Sequence, residues 1–242
     1  MKQMHKLIVQ SAAYRQSSNN RKDLINRDPY NLLVARQARL RLDAEIVRDA
    51  ALKVSDLLHP VIGGPSVRPP QPPGLTNLGY GDFVKWEESK GRDRYRRGLY
   101  IFFQRTVPYP MLVTFDAPDS NVSCTRRIES TTPLQSLNLL NDPVFFEAAQ
   151  ALAARVLRES GPSTDERIER LFLLSVARPP TAREKEFAFT YLQRQTEILK
   201  QEPKAIAQLA PGGLEGVEPL EAAVWVTLSR GLLNVDEFIT RE

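Results

Sequence analysis

Three aspartates are the residues of this chain whose type and setting could do acid–base chemistry. Asp116 and Asp119 flank a proline in the stretch FDAPD, and Asp142 stands before a second proline. A glycosidase needs two carboxyl groups held about 5 to 10 Å apart across a sugar, one as the acid and one as the base or nucleophile. Because spacing along the chain does not fix that distance, the aspartates are candidates for a hydrolase acting on acidic or sulfated polysaccharide.

Arginine and amide side chains near these aspartates could bind an acidic ligand. A guanidinium group pairs bidentately with carboxylate, sulfate or phosphate. The predicted ligand-binding candidates are Arg105, Asp116, Asp119, Arg126, Arg127, Gln135 and Asn141. In a second interpretation, which we favour, Arg126 and Arg127 bind the carboxylates of the FDAPD turn and fix this turn to the helix that follows.

Most other catalytic and metal-binding chemistry lacks its residues. The chain has two histidines, His5 and His59, and one cysteine, Cys124. A hydrolytic triad requires a base within hydrogen-bond reach of its nucleophile, and both histidines are better explained as structural residues of helices. The oxygen-rich FDAPDSN turn could offer ligands to calcium, but no bidentate glutamate follows at the spacing of an EF-hand. We therefore predict no metal site and no cofactor, and we favour a protein that is not an enzyme.

A second arginine group lies upstream of the aspartates and is interleaved with aromatic residues. Its members are Arg92, Arg94, Arg96 and Arg97, with Tyr95 and Tyr100 among them. Such a group could line a groove for a polyanion, since guanidinium groups pair with phosphate and stack on aromatic rings. However, 33 basic against 29 acidic residues is too even a balance for a dedicated nucleic-acid surface. Nucleic-acid binding is therefore the weakest hypothesis, and a solvated surface is the favoured interpretation.

Helices must position most of these residues. Apolar side chains from Met4 to Ala12 share one helical face, which predicts a first helix. Asp28 before Pro29 is typical of a helix start, and apolar residues at three- and four-residue steps continue the pattern to Leu58. Capping residues before proline or before glutamate predict further helices in the C-terminal half. These helices run over residues 134–140, 144–158, 163–177, 181–201 and 219–233.

Three stretches interrupt the helical period. Residues 59–91 carry no apolar period, and the five prolines in residues 65–74 predict a long extended loop. Residues 99–103 and 111–115 are short aromatic and β-branched runs that predict two paired strands. Residues 203–218 are rich in proline and glycine, which predicts a flexible excursion.

The predicted fold is mainly α, a single helical domain over residues 1–242 with a small two-stranded β element and a long Pro-rich loop. Its parts are N-terminal helices (1–58), a Pro/Gly-rich loop (59–95), a strand element with the helical core (96–202), the flexible excursion (203–218) and a C-terminal helix (219–242). No apolar run approaches the roughly 20 residues that span a bilayer, and the N-terminus lacks the apolar segment of a signal peptide. The chain alone therefore indicates no compartment.

Six blocks of the sequence carry a resemblance to a known family. They are KLIVQSAAYRQSS, ARLRLDAEIVRDAAL, GGPS, RRGLYIFFQRTVPYPMLVTFDAPDSNVSCTRRIESTTPLQSLNLLNDPVFFEAA, RPPTAREKE and LLNVDEFITRE. In this order they resemble the planctomycete domain of unknown function 1553 over essentially the whole chain. The resemblance implies a place near the C-terminus of large exported proteins, after a cytochrome-c-like region, and it implies no catalytic residue. The chain is similar to a member truncated at its N-terminus, because it begins inside the domain and carries no haem motif.

The favoured function is a non-catalytic binding or scaffolding module of a larger multidomain protein. Its expected partners are other domains or subunits of that protein, with acidic polysaccharide as an alternative ligand. A hydrolase acting on acidic or sulfated polysaccharide is the rival from another class, and nucleic-acid binding is the weaker alternative. The resemblance implies an extracytoplasmic location for full-length members, and no membrane span is expected.

Overall fold

The computed structural model describes residues 1–72, 74, 86–119 and 121–241. Part of the predicted Pro-rich loop, residues 75–85, lies outside the described residues, as does residue 73. The described chain forms two compact units, Met1–Leu42 with Ile239–Glu242, and Asp43–Phe238. The single domain expected from the sequence stays a prediction.

The smaller unit contains a helix, a series of turns and a two-stranded sheet. Helix α1 spans Lys2–Gln10, as the apolar period predicts. Strand β1, Leu40–Arg41, pairs antiparallel with strand β2, Thr240–Arg241, so that Leu40 lies opposite Arg241. Turns and bends connect α1 to β1.

Asp28 closes a turn in this unit and does not start the predicted long helix. Its buried carboxylate accepts hydrogen bonds from the backbone N–H groups of Leu32, at 2.7 Å, and Leu33, at 2.8 Å. An aspartate before proline suits a turn as well as a helix start, because its side chain can bond to the backbone in either. The prediction of one helix from Asp28 to residue 58 was wrong, and helix α2 spans only Ala44–Val54.

Helices form the core of the larger unit. After α2 come α3 (Pro110–Thr114), α4 (Pro133–Asn141), α5 (Pro143–Glu159), α6 (Thr164–Val176), α7 (Ala182–Lys200), α8 (Pro203–Leu209) and α9 (Pro219–Leu232). A last short helix, α10, spans Asp236–Ile239. Helices α5 and α9 pack against each other, and the buried Ala149 and Ala153 of α5 let neighbouring helices approach closely. The core therefore rests on helix-to-helix packing.

Capping side chains start these helices as the sequence predicts. Thr132 and Gln135 form a capping box at the start of α4. The carboxylate of Asp142 accepts a hydrogen bond of 2.9 Å from the first turn of α5. Thr181 and Glu184 form a second capping box at the start of α7. The helices of the C-terminal half are confirmed, with bounds close to the predicted ones.

The predicted strand pair at residues 99–103 and 111–115 was wrong. Gly98–Tyr100 forms a 3₁₀ turn, and Pro110–Thr114 forms the short helix α3. A five-residue apolar run has no period that separates a strand from a helix, and Pro110 suits the first position of a helix. The two-stranded sheet of the described chain joins β1 to β2. The mainly α fold with a small β element is confirmed, with its strands elsewhere.

The predicted excursion at residues 203–218 contains helix α8. Pro203 occupies the first position of this helix, where its missing N–H costs nothing. The side chain of Gln150 on α5 donates a hydrogen bond of 2.9 Å to the carbonyl of Leu209 at the end of α8. A turn with positive-φ glycines follows α8, and the flexibility of residues 203–218 stays a prediction. None of the helices in the described ranges has both the length and the apolar character needed to cross a bilayer.

Candidate functional site

The turn segment, residues 116–135, contains most of the predicted ligand-binding residues. Two of them, Asp116 and Gln135, form hydrogen bonds that stabilise the segment. The Asp116 carboxylate accepts hydrogen bonds from the backbone N–H of Ser130, at 2.9 Å, and from its hydroxyl, at 2.8 Å. Gln135 is buried and donates to the carbonyls of Thr114, at 3.0 Å, and Ser130, at 3.1 Å. Asp116 and Gln135 therefore close the loop between α3 and α4.

Asp119 and Arg105 bind the same neighbour within this region. The Asp119 carboxylate accepts a hydrogen bond of 2.8 Å from the backbone N–H of Asn121. The guanidinium of Arg105 donates to the Asn121 side-chain oxygen at 3.0 Å, and both charged residues are exposed. Asn141 is also exposed, and its amide donates to the carbonyl of Leu137 one turn earlier in α4. These contacts are local and are typical of turns and helix surfaces.

Arg127 binds carboxylates, but not those of the FDAPD turn. Its guanidinium donates to the two carboxylate oxygens of Glu45 at 2.7 and 3.0 Å and lies 3.3 Å from the Asp43 carboxylate. Burial raises the pKa of Glu45, but the hydrogen bonds and positive charge of Arg127, together with a backbone hydrogen bond, lower it overall. Arg127 therefore has a structural role, but its partners are Glu45 and Asp43, whereas the sequence alone predicts the carboxylates of the FDAPD turn. Arg126 is exposed to solvent.

Asp142 is buried, and its surroundings change its titration. The residue is 2% exposed, and its carboxylate caps α5. Burial raises the pKa of Asp142 to about 6, although the positive charge of Arg48 opposes this effect. Arg48 is fully buried and donates to the backbone carbonyls of Arg96, at 2.6 Å, and Arg94, at 2.7 Å. A carboxylate in this position holds a helix end and is closed to a polymeric substrate.

Three of the four residues of the second arginine group bind other groups of the protein. Arg94 pairs with Glu147 at 3.1 Å, and Arg97 pairs with Asp49 at 3.1 Å. Arg96 is buried, and its guanidinium donates to carbonyls of the Pro-rich loop, at 2.9 Å for Pro65. Only the exposed Arg92 fits the solvated surface that the sequence predicts for this group, so these contacts give the nucleic-acid hypothesis no support.

A groove between α6, α7 and α9 is the feature that sequence reasoning missed. It has a volume of about 490 Å³, and three other cavities lined by described residues have volumes of about 240 to 360 Å³. Its apolar wall is formed by Phe172, Val176, Phe187, Tyr191, Leu228 and Leu232, and its charged end by Arg178, Arg183, Glu184 and Glu237. Binding pockets of about 300 to 1,000 Å³ are typically apolar with a few polar groups at fixed positions. The groove has this composition.

A charged clamp fixes one end of the groove. The guanidinium of Arg178 donates to the Glu184 carboxylate at 2.8 and 2.9 Å and to the Glu237 carboxylate at 2.7 Å. The hydrogen bonds from Arg178 lower the pKa of Glu184 to about 2. Glu184 also accepts a hydrogen bond of 2.7 Å from the backbone N–H of Thr181. The clamp therefore ties the start of α7 to the segment that follows α9.

An exposed phenylalanine and a half-buried tyrosine form the rim of the groove. Phe187 is 69% exposed, and its ring stacks on that of Tyr191 with centroids 6.3 Å apart. Opposite them, on α9, Gly231 leaves a gap, because an added Cβ atom would meet no atom within 4 Å. The apolar positions Phe187 and Tyr191 stand one turn apart on a strongly charged helix, which is the local signal in the sequence. Their partner α9 lies too far along the chain for that signal to indicate a groove.

Among the described residues, no group of three or more histidine, cysteine, aspartate or glutamate side chains could hold a metal ion. Cys124 is exposed, and its thiol donates to the carbonyl of Arg126 at 3.2 Å. Of the four cavities described above, the groove has the largest volume, and its lining is typical of a binding surface.

Comparison with protein-family models matches residues 1–192 to a family described as Protein of unknown function (DUF1553), PSD1. The chain belongs to this family. The match covers α1 to the middle of α7 and confirms the resemblance to this family, and it contains the first five of the six sequence blocks. Comparison with curated proteins gave no match, and comparison with solved structures gave none either. Membership in DUF1553 supplies no activity, so function must be inferred from the site.

Proposed function

We propose that this DUF1553 chain is a non-catalytic binding module whose groove receives the apolar face of a helix from a protein partner. The observation that carries the proposal is the exposed Phe187, stacked on Tyr191 beside an apolar wall. Phe187 is 69% exposed at the edge of an apolar cavity, so a partner that covers it would bury a large apolar area.

The shape of the groove favours a helix as the occupant. Its α7 wall runs from Arg183 to Tyr191, two helical turns or about 12 Å at 1.5 Å per residue. A helix that binds in a groove places apolar anchors at three- and four-residue steps over the same length. The Arg178 clamp holds one end of the wall, so the groove is formed before a partner binds. Such preorganisation reduces the entropy lost on binding.

The charged groups of the groove do not suit acid–base catalysis. Both glutamates of the clamp bind Arg178, and the low pKa of Glu184 keeps that carboxylate ionised at neutral pH. A general acid or base works best with a pKa near the operating pH. Outside the groove, Asp116, Asp119 and Asp142 are each bound by neighbours in the fold. The hydrolase and polysaccharide hypotheses stay predictions without a supporting contact.

A peptide titration tests the proposed function. The probe is a dye-labelled amphipathic helical peptide with leucines at three- and four-residue steps and lysines elsewhere, and a scrambled peptide of the same composition is its control. We expect the full chain to bind the first peptide and not the second. Phe187→Ala should weaken binding about tenfold, because truncation of an interface aromatic often costs more than ~1 kcal/mol.

Phe189→Ala is the matched control variant. Phe189 lies on the same helix and is 47% exposed, but it lines a separate cavity with Leu192 and Trp225. We expect peptide binding by this variant to equal that of the parent. Equal binding of both peptides, or an equal loss in Phe187→Ala and Phe189→Ala, would contradict the proposal.

A further inference from the structure

We infer that helix α1 of a second copy of this chain occupies the groove, so that the protein self-associates. This inference rests on the proposed function and names the partner helix.

The first reason is that α1 is an amphipathic helix with its apolar face in solvent. Every residue of Lys2–Gln10 is exposed, including Met4 at 60%, Leu7 at 70% and Ile8 at 46%. These three side chains stand at positions i, i+3 and i+4, so they form one stripe. Lys6 lies on the opposite face of the helix and would stay in solvent when the stripe is covered.

The second reason is that a helix this short needs a partner. Isolated helices below about 12 to 15 residues are marginal in water, and most helical stability in proteins comes from packing an amphipathic face. Helix α1 has nine residues and buries none of them. A second copy of the chain is a partner that every concentrated solution of this protein supplies.

The third reason is that α1 and the groove match in length, and that the positive charge of α1 meets no net positive charge in the groove. Helix α1 and the α7 wall from Arg183 to Tyr191 are both nine residues long, or about 12 Å from the first Cα atom to the last. The charged residues of the groove are Arg178, Arg183, Glu184 and Glu237, and their charges sum to zero. Helix α1 carries two lysines and no acidic residue, so it meets no net repulsion there. Met4, Leu7 and Ile8 then supply the apolar anchors that the groove takes.

Sedimentation equilibrium of the full chain tests the inference. We expect the mass of the parent to rise above the 27.4 kDa of one chain as concentration increases. Leu7→Asp places a charge on the α1 stripe, and Gly231→Phe fills the open space of the groove. Each change should raise the dissociation constant of association about tenfold or more, as for other central interface residues. A 1:1 mixture of the two variants should associate again, because one retains the groove and the other retains α1.

Two control variants separate a specific interface from general stickiness. Val9→Asp changes the opposite face of α1, where Val9 is 47% exposed, and Phe189→Ala changes α7 away from the groove. Both should leave the dissociation constant within about twofold of the parent value, as surface changes usually do. A parent mass of 27.4 kDa at every concentration would overturn the inference. An effect of Val9→Asp equal to that of Leu7→Asp would also overturn it.

The outcomes distinguish this inference from the proposed function. If the parent is monomeric but binds the amphipathic peptide in a Phe187-dependent manner, the inference fails and the proposed function stands. If the parent associates but Leu7→Asp and Gly231→Phe have no effect, the interface lies elsewhere and the inference fails. If neither association nor peptide binding depends on the groove, both are wrong.

Discussion

The turn segment, residues 116–135, and the groove between α6, α7 and α9 differ in how their side chains are used. In the turn segment, the polar groups of Asp116 and Gln135 bind other groups of the same fold. In the groove, Phe187 and the open space at Gly231 contribute little to internal packing. A region rich in charged residues is therefore not by itself a site. Exposed apolar side chains such as Phe187 are the better guide to a binding surface.

The largest expected effect is at Gln135, which tests whether the turn segment is structural. Its side chain is 2% exposed and donates to the carbonyls of Thr114 and Ser130. Gln135→Ala should lower the free energy of unfolding by about 2 to 4 kcal/mol, because it leaves a cavity at a buried position and removes the donor of two partly buried carbonyls. Asn141→Ala removes the same kind of side chain from the exposed face of α4 and should cost less than about 0.5 kcal/mol. Urea unfolding of both variants measures the difference, and equal values would contradict the structural role.

Asp142 gives the next largest effect, as a pH dependence. Its folded pKa of about 6 lies above its ordinary value of 3.8, so the folded protein holds this proton more tightly than the unfolded chain. The stability contributed by Asp142 is therefore fully present below pH ~4 and is lost as the pH rises through about 6, with a total of about 2 to 3 kcal/mol. Asp142→Asn keeps an oxygen to cap α5 but removes the titration.

Urea unfolding of the parent and the Asp142→Asn variant between pH 4 and 7 measures this contribution. The difference between the two proteins should change by the stated amount across this range, with the variant relatively more stable at pH 7. Other carboxylates, such as the clamp residue Glu184, contribute equally to both proteins and cancel in the difference. A difference that is independent of pH would show that Asp142 titrates normally.

Arg127 and its neighbour Arg126 provide a smaller matched pair. Arg127 holds the carboxylates of Glu45 and Asp43 and is partly exposed, whereas Arg126 points into solvent. Arg127→Ala should lower the free energy of unfolding by about 1 to 2 kcal/mol. The effect is smaller than for a buried ion pair because water screens a partly exposed one. Arg126→Ala should be neutral within about 0.5 kcal/mol. If Arg127→Ala melts no lower than the parent, anion binding by this arginine becomes the better explanation.

The smallest effect, with the opposite sign, is expected in the groove. Gly231 lies within helix α9, and an added Cβ atom would contact nothing within 4 Å. Gly231→Ala should therefore stabilise the fold by about 0.5 to 1 kcal/mol, through the reduced entropy of the unfolded chain. Thermal unfolding measures this change. A destabilised variant would mean that the space at Gly231 is needed by the fold and is not an open binding surface.

Local sequence signals predicted the capped helices of the C-terminal half well and the contacts between distant elements poorly. Thr181 with Glu184 and Thr132 with Gln135 mark helix starts because capping geometry depends only on residues three positions apart. The partner of Arg127 could not be read in this way, because Glu45 lies far away along the chain. The prediction of a strand pair at residues 99–103 and 111–115 was wrong for a different reason, the shortness of the two segments.

The predicted strands were too short for periodicity to decide between strand and helix. Gly98 then shows what tertiary packing adds, because a Cβ atom there would lie 2.8 Å from the backbone of Glu45 on α2. The groove escaped prediction because α7 and α9 form it together. The apolar positions Phe187 and Tyr191 on a charged helix are a local signal, and they do not identify α9 as the other wall.

Hydrogen–deuterium exchange of the full chain, with and without the amphipathic peptide, compares the two regions in one measurement. If the groove is the binding surface, the peptide should slow exchange of backbone amides in residues 183–191 of α7 and at the C-terminal end of α9. Exchange in the turn segment, residues 116–135, should stay unchanged. Protection of the turn segment without protection of α7 would contradict the assignment of binding to the groove.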